Sequence, residues 1–449
     1  MMAVFASAGS AAPRASDFEQ AVPSVHAARA AAQRVVTLKP GRPFELAGFV
    51  WRGSGRPSIS VQSHGRRGWS RWVRVGASGI DGPDRAPSPF GGEHVRGSSE
   101  PVWTGASDAL RVRVAGGGVK DLRAHFVRVH AGRSARAAGT GGAPPGGAAA
   151  PAIVTRDQWG ASACKPRATP QYGEVLAAVV HHTESTNSYS QSEAPSVVLG
   201  ICRYHRNGRG WNDIGYNLLI DRFGTVYEGR AGGVDKAVVG AHAQGYNGQT
   251  TGIALIGGFM SVSPSQAAMD SLQRVIQWKL GLAGVTRNER AALISTGGVY
   301  NRFKYGRTVW ARPVSGHRDL DSTDCPGNVL YAKLPGLASF LTGAPRPATK
   351  LSMRLKRVAT PGGGQAVAVS GRLRSAGQPV SGRTVQVQAF TSTGWLTLTE
   401  ARTDGNGFWQ TTVAPARRYF LRGSFAGDDG LRSVRSLWRY SPKLRRITN

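Results

Sequence analysis

The chain is organised around one loop, which reads Gly316-His317-Arg318-Asp319-Leu320-Asp321-Ser322-Thr323-Asp324-Cys325-Pro326-Gly327. This loop offers an imidazole and, eight residues later, a thiol, which are ligand types that Zn²⁺ prefers. Two ligands do not make a metal site, and we expect the third from His181, at the end of the apolar run 176–181. Three protein ligands are typical of catalytic zinc, whereas structural zinc has four. The spacing alone leaves open the alternative that His317 and Cys325 are unrelated loop residues.

The length and charge of the chain limit the possible classes of protein. A chain of 449 residues with 40% hydrophobic content predicts two to four folded domains of roughly 100–200 residues each. A net charge of +31 favours polyanionic surroundings, such as nucleic acid, anionic lipid or an anionic cell wall. A solvated basic surface is the plainer interpretation of the same charge. No apolar run is long enough to predict a transmembrane helix.

Composition and hydrophobic periodicity divide the chain into five segments. Residues 1–33 have a short apolar stretch without a basic start, which indicates a truncated signal peptide or a disordered tail. The other segments are an all-β accessory module at 34–130, a Gly/Ala/Pro linker at 131–150, a central α/β domain at 151–342 and an immunoglobulin-like β-sandwich at 343–449. We expect the central domain to contain a mixed sheet flanked by helices.

Four tryptophans in the first β module have two possible roles. Trp51, Trp69, Trp72 and Trp103 would suit a glycan-binding face, but tryptophans in short strands more often pack in the core of a sheet. The sequence does not decide between these roles.

The central domain has local patterns of both helix and strand. Residues 195–206 place Val198, Ile201, Cys202 and His205 on one helical face. A capping box at Ser263-Pro264-Ser265-Gln266 predicts the start of a second helix, which ends at Gly281.

Residues 153–341 resemble the type 2 N-acetylmuramoyl-L-alanine amidases and the peptidoglycan recognition proteins, which share one zinc-amidase fold. The matching stretches occur in the family's order, cover under half of the chain and leave the two β modules unexplained. They are Trp159-Gly160, Val179-Val180-His181-His182-Thr183, Trp211-Asn212-Asp213-Ile214-Gly215-Tyr216-Asn217, Val226-Tyr227-Glu228-Gly229-Arg230, Gly240-Ala241-His242-Ala243, Gly252-Ile253-Ala254-Leu255-Ile256-Gly257, Gly316-His317-Arg318-Asp319 and Thr323-Asp324-Cys325-Pro326-Gly327.

The resemblance implies a zinc site and an activity. It makes His181, His317 and Cys325 the zinc ligands, with His182 beside them rather than a ligand. It places Tyr216 next to the metal, where its hydroxyl stabilises the reacting carbonyl. The implied reaction is zinc-dependent hydrolysis of the amide between N-acetylmuramic acid and L-alanine in peptidoglycan.

Other positions follow the family pattern less closely. Thr323 takes a catalytic position where some relatives carry lysine, so the group that protonates the leaving amine stays open. The resemblance also implies five residues near a peptide-binding groove, although core or surface roles are as plausible for two of them, His205 and Asn247. The five are His205, Arg209, Trp211, His242 and Asn247.

The cysteine count predicts a disulfide once Cys325 is assigned to zinc. Cys164 and Cys202 then remain, and we predict that they pair, which requires an oxidising compartment. Two buried free thiols are the alternative. We therefore expect a secreted or cell-wall-associated protein.

The sequence is compatible with three functions. The zinc amidase comes first, because Cys325, both histidines and Tyr216 are present. The second is a peptidoglycan-binding recognition protein that does not cut, but such relatives typically lack the cysteine ligand. A nucleic-acid-binding protein comes third, since no arginine-rich helix or aromatic-basic RNA motif accompanies the charge. We expect muropeptides as the main partner, anionic wall polymers as a further one, and no specific nucleic acid.

Overall fold

A computed structural model describes residues 14–23, 35–53, 55–76, 82–84, 97–116, 118–130, 149–361 and 364–444. Within these ranges the chain forms an N-terminal β domain, a central α/β domain and a C-terminal β domain. The predicted linker lies outside the described residues except for its last two positions. No helix among the described residues is long and apolar enough to cross a membrane.

The N-terminal domain is one antiparallel sheet with the order β1-β9-β3-β8-β4-β5, in which three short strands pair at the sides. Its buried face alternates with a polar face, as in β4, where Ile59 and Val61 are buried. The strands are β1 (Arg14–Ala21), β2 (Val35–Leu38), β3 (Phe44–Arg52), β4 (Ser58–Gly65), β5 (Gly68–Trp69), β6 (Val73–Val75), β7 (Gly97–Ser98), β8 (Val102–Ala115) and β9 (Lys120–His130).

Strand β1 corrects the predicted boundary of the N-terminal tail. It pairs along its whole length with β9, from Arg14 opposite His130 to Ala21 opposite Arg123. The sequence gives little sign of this strand, because only Phe18 turns into the core and its partner lies more than a hundred residues away. The signal-like residues 1–13 lie outside the described ranges.

The central domain has a six-stranded mixed sheet with the order β10-β13-β12-β14-β11-β17, as predicted. Only β12 and β13 are antiparallel to each other, while the other neighbours run parallel. Its strands are β10 (Ile153–Val154), β11 (Ala177–His182), β12 (Leu218–Ile220), β13 (Val226–Glu228), β14 (Thr250–Leu255) and β17 (Val314–Gly316); β15 (Ala291–Ile294) and β16 (Thr308–Ala311) form a separate hairpin.

Helices cover both faces of this sheet, which is why β11 and β14 are buried throughout. One apolar cluster joins the sheet to α2 and another joins it to α3. The helices are α1 (Arg156–Trp159), α2 (Ala194–Arg203), α3 (Gln266–Leu282) and α4 (Asn328–Lys333), with a π-helical turn at Tyr204–Gly208 and 3₁₀ turns at Ala161–Ala163, His317–Asp319 and Leu334–Ala338.

The C-terminal domain consists of two antiparallel sheets that share one hydrophobic core. Val367 and Val369 enter this core from one sheet, and Val385, Val387 and Leu421 enter it from the other. The strands are β18 (Thr349–Leu351), β19 (Arg354–Ala359), β20 (Gln365–Ser375), β21 (Gln378–Pro379), β22 (Thr384–Thr391), β23 (Gly394–Arg402), β24 (Phe408–Val413), β25 (Phe420–Phe425), β26 (Val434–Arg435) and β27 (Arg439–Tyr440).

Candidate metal centre

The sheet register brings the two predicted histidine ligands together. Strands β11 and β17 are parallel neighbours, and Val180 lies opposite Gly316. His181 and His317 therefore follow at the same edge of the sheet, with their ring centroids 4.6 Å apart. The loop then folds back, because the Arg318 amide donates to the Cys325 carbonyl over 2.9 Å. This turn places the Cys325 thiol beside both imidazoles.

The three side chains have the spacing of a metal site. One ligand atom from each of His181, His317 and Cys325 lies within 4.8 Å of the others, and all three residues are buried. Cys325 Sγ is 3.7 Å from His181 Nδ1. Tetrahedral zinc with ordinary Zn–N and Zn–S bonds separates such atoms by about 3.5 Å. The donor set therefore fits Zn²⁺.

Two further side chains orient the histidines. His181 Nε2 is 3.0 Å from His242 Nδ1, and His317 Nε2 is 2.9 Å from Asp321 Oδ2. These contacts leave Nδ1 of each ligand histidine to face the cluster. A metal on Nδ1 requires the proton on Nε2, so each imidazole donates to its partner. His242, predicted to bind substrate, contacts His181 in this structure, and its role in substrate binding stays a prediction.

The backbone around Cys325 favours the thiolate and fixes the loop. The His182 amide lies 3.4 Å from Cys325 Sγ, in a donor geometry that stabilises negative charge on sulfur. The Thr323 hydroxyl accepts a hydrogen bond from the Cys325 amide over 3.1 Å. Thr323 therefore has a structural contact in the loop, and its catalytic role stays a prediction. His182 Nδ1 accepts from the Phe259 amide over 3.3 Å, on the side away from the cluster.

Tyr216 lies against the cluster, as the resemblance implies. Its ring centroid is 5.3 Å from that of His181 and 5.7 Å from that of His205. The centre is closed to solvent, since His181 and His317 are 0% exposed, Tyr216 is 1% exposed and Cys325 is 8% exposed. A polymer cannot approach side chains that are this deeply covered.

The other predicted groove residues are covered by the N-terminal domain or by neighbouring rings. His205 accepts from the Gly215 amide over 3.1 Å and packs on Trp211, with ring centroids 4.7 Å apart. Arg209 is fully buried against Glu100 of the N-terminal domain, and its guanidinium lies 4.7 Å from the Trp211 ring centroid. Substrate contact by these three residues stays a prediction that requires their exposure.

Both polar atoms of the Asn247 side chain are occupied by hydrogen bonds. Its Oδ1 accepts from the His242 and Ala243 amides, and its Nδ2 donates to Gly82 O and to Asp84 Oδ1 over 2.7 and 2.9 Å. Asp84 also accepts from the Gly245 amide over 2.7 Å. Burial raises the pKa of the Asp84 carboxyl to about 7, and the nearby Asp321 carboxylate acts in the same direction. In this conformation Asn247 therefore binds the N-terminal domain.

The predicted disulfide between Cys164 and Cys202 is present. It ties α2 to the turn that precedes the first long strand of the sheet. The Cys164, Cys202 and Asp213 side chains also lie close together, but disulfide sulfurs are not metal ligands. Cys325 is the third cysteine of the chain, and it is not in a disulfide.

Sequence reasoning missed three acidic residues. Asp321 stands four residues after His317, a spacing that signals a carboxylate partner for a ligand histidine. Asp84 and Glu100 had no such signal, because only the packing of two domains brings them to Asn247 and Arg209.

Comparison with known proteins finds similarity in two parts of the chain. The family model described as N-acetylmuramoyl-L-alanine amidase matches residues 171–328. A second model, described as Rv3811 N-terminal galactose-binding domain-like, matches residues 8–145.

The relatives found by sequence match the central part of the chain. The human N-acetylmuramoyl-L-alanine amidase is 30% identical over 214 residues, which is 47% of this chain and 33% of the human protein. Peptidoglycan-recognition protein SC2 of Drosophila simulans is 28% identical over 182 residues, which is 40% of this chain and 84% of that protein. The chain spans about a third of the length of the mammalian amidases that it matches.

Among solved structures, Drosophila PGRP-LB is 26% identical. The match covers 40% of this chain and 91% of that one, with a TM-score of 0.31.

Proposed function

Because the central domain of this chain belongs to the type 2 N-acetylmuramoyl-L-alanine amidase and peptidoglycan recognition protein family, we propose that it is a zinc-dependent amidase. It hydrolyses the amide bond between N-acetylmuramic acid and L-alanine in peptidoglycan. The observation that carries this proposal is the set of His181, His317 and Cys325 around one point, with Tyr216 beside it. Recognition without cleavage needs no such donor set.

Each residue of the site has its own role in the proposed hydrolysis. A Zn²⁺ ion, when bound, acts as a Lewis acid that polarises a carbonyl and activates water. Tyr216 donates a hydrogen bond to the oxygen on which negative charge develops. His242 and Asp321 hold the ligand tautomers, and the His182 amide supports the thiolate. Thr323 carries no charge, so it does not replace a lysine that protonates the leaving amine.

Defined muropeptides test the activity directly. Purified protein with zinc should release separate glycan and peptide, as measured by mass spectrometry, and a chelator should stop the release. The Cys325→Ser variant should lose most of the activity, while Ser322→Ala, an exposed change in the same loop, should keep it. Intact substrate in the presence of zinc, together with tight muropeptide binding, would favour the recognition function instead.

We further propose that the N-terminal domain binds anionic wall polymers. Trp51 and Trp103 are buried, but Trp69 and Trp72 are half-buried on the polar face of the sheet. The guanidinium carbons of Arg111 and Arg113 lie 4.0 and 3.8 Å from the centroids of the Trp69 and Trp72 rings. Three exposed arginines border this face: Arg66, Arg67 and Arg71. Aromatic rings beside dense positive charge suit a polymer of sugars and phosphates.

Cosedimentation with purified cell walls tests this second partner. The full chain should bind untreated walls in a salt-dependent way and bind less to walls from which hydrofluoric acid has removed phosphodiester-linked polymers. Trp69→Ala with Arg111→Gln should weaken binding, whereas Arg354→Gln with Arg357→Gln, an exposed pair in the C-terminal domain, should not. Equal binding to both wall preparations would contradict the proposal.

The remaining assignments concern location and the C-terminal domain. We propose that the protein is secreted or wall-associated, supported by the Cys164–Cys202 disulfide, which persists in oxidising compartments. We also propose that the two C-terminal sheets form an immunoglobulin-like sandwich. Protein with both of these cysteines reduced after isolation under thiol-blocking conditions would contradict the location.

A further inference from the structure

The strongest unexplained feature is the contact between the N-terminal domain and two residues of the predicted peptide groove. Residues 82–84 and 99–100, which we name the cover, are described parts of that domain and contact Asn247 and Arg209 of the central domain. Both partners are residues that the family resemblance implies in the peptide groove. The cover therefore lies where a substrate would bind.

The first contact of the cover is a buried ion pair. Arg209 Nη2 donates to Glu100 Oε1 over 2.6 Å and to the Ser99 carbonyl over 2.7 Å. The side chains of Arg209 and Glu100 are 0% and 4% exposed. A guanidinium in such a site needs a negative partner, and here a carboxylate from another domain supplies the charge.

The second contact of the cover is made by Asp84. Residues 82–84 are buried, and Asp84 Oδ1 accepts from both Asn247 Nδ2 and the Gly245 amide. A Cβ built on Gly82 would lie only 3.6 Å from the Trp211 ring. The cover thus binds two polar residues of the predicted groove and lies against a third groove residue, Trp211.

These contacts differ from the packing that attaches the two domains. Leu46 and Trp103 pack on α2 in an apolar cluster, and the Tyr204 hydroxyl donates to the Phe49 carbonyl over 2.8 Å. The polar contacts of the cover differ, because a polar ligand that satisfies the same buried groups can replace them. Ser99 is itself bonded to β3, since its amide donates to the Phe49 carbonyl over 2.8 Å, and the Tyr204 hydroxyl also donates to the Ser99 carbonyl over 3.1 Å. The cover therefore opens only if this part of the N-terminal domain shifts against the central domain.

We propose that the cover is an autoinhibitory element, which occupies the groove in the resting protein and must leave Arg209 and Asn247 before a muropeptide can bind. This inference rests on the proposed amidase function for its consequence, but not for the opening itself. The two contacts of the cover break together, so that loss of the Glu100–Arg209 ion pair also frees the Gly245 amide from Asp84. A peptidoglycan strand, whose peptides carry carboxylates and amides, competes for the same two residues.

Hydrogen exchange of the Gly245 amide measures the opening without any enzymatic activity. The Gly245 amide donates to Asp84 and not to Glu100, so Glu100→Gln changes this amide only if the cover moves as one unit. We expect Glu100→Gln and Glu100→Ala to speed exchange roughly tenfold to a hundredfold, the factor lost with one hydrogen bond to a charged group. Glu174→Gln, which weakens a comparable ion pair between the central and C-terminal domains, should leave the Gly245 amide unchanged.

Cleavage of a soluble muropeptide by the same full-length variants tests the consequence. Glu100→Gln should raise kcat/KM about in proportion to the faster exchange, and Glu174→Gln should match the wild type. Unchanged exchange at Gly245 in both Glu100 variants would overturn the cover itself. Faster exchange with unchanged cleavage would overturn autoinhibition. Faster exchange in a protein that cleaves nothing, even with zinc, would refute the amidase function and leave the moving cover established.

Discussion

Asp321 makes the sharpest prediction at the scale of single residues. Its carboxylate fixes the proton of His317 on Nε2, which prepares Nδ1 for a metal. We expect Asp321→Asn to weaken zinc binding by about 10- to 100-fold, the usual effect of losing such a partner. Competition with a chromophoric chelator measures the affinity. Asp324→Asn, an exposed carboxylate in the same loop, is the control, and equal losses in both variants would refute the role of Asp321.

The raised pKa of Asp84 predicts how the stability of the closed cover depends on pH. Burial raises its pKa from an ordinary 3.8 to about 7, so the closed cover holds a proton that the open cover releases. The closed state is thus favoured most below about pH 4. The stability of the closed state relative to the open state falls as the pH rises towards 7. Above pH 7, the ionisation of Asp84 changes this stability little further. The facing groups are Asn247, the Gly245 amide and the Asp321 carboxylate.

The protection factor of the Gly245 amide checks this pH dependence. It should fall between pH 5 and pH 8 in the wild type, after correction for the intrinsic exchange rate. Asp84→Asn should flatten the profile, because an amide side chain accepts the same hydrogen bond without titrating. A profile that is equally steep in Asp84→Asn would assign the titration to another group.

The disulfide acts at the scale of secondary-structure elements. It joins α2 to Cys164 across 38 residues of chain, so it limits the unfolded ensemble of the central domain. We expect Cys164→Ala with Cys202→Ala to lower the free energy of unfolding by roughly 3–4 kcal/mol, as measured by denaturant unfolding. Reduced wild-type protein is the control and should lose a similar amount. An unchanged midpoint in the variant would contradict the prediction.

Elements with strong local signals were predictable from the sequence. The apolar run 176–181 became β11 at Ala177–His182. The predicted capping box placed the start of the second helix at Ser263 with Pro264 as its first residue, but α3 begins two residues later, and its N-cap Ser265 accepts from the Ala268 amide. The predicted helix 195–206 became α2 followed by a π-helical turn, because the sequence pattern does not distinguish the two hydrogen-bond spacings. The proximity of His181, His317 and Cys325 was also predicted correctly, since imidazole and thiol groups are the residue types that suggest a shared metal site.

Features that depend on distant pairing were not predictable. Strand β1 is defined by its register with β9, and its Asp17 also binds Arg203 of α2. The contacts of Asp84 and Glu100 depend on the docking of two whole domains. The local pattern of apolar residues carries no signal of domain docking. The family resemblance therefore could not show that the N-terminal domain covers the predicted groove residues.

At the scale of the whole molecule, ion pairs around Glu174 and Glu289 of the central domain join it to arginines of the C-terminal domain. Glu174 contacts Arg422 and Arg435, and the Arg422 side chain is only 5% exposed. Glu174→Ala would leave the Arg422 charge buried without its partner. We expect this change to destabilise the docked C-terminal domain by roughly 3–5 kcal/mol. Hydrogen exchange along β25 measures the loss.

A solvent-facing carboxylate in the same domain provides the control. Glu400→Gln lies on the exposed side of β23 and should change the stability by less than about 0.5 kcal/mol. If Glu174→Ala exchanges along β25 no faster than Glu400→Gln, the ion pair does not hold the domain in place.

The burial of Cys325 has a chemical consequence in the oxidising compartment that we propose for this protein. A thiolate in an oxidising compartment is open to sulfenic acid formation and to mixed disulfides with small thiols. With 8% of its surface exposed, Cys325 is shielded from both kinds of reagent while the protein waits in its resting form. The packing around Cys325 thus preserves the redox state of the sulfur that we propose as a metal ligand.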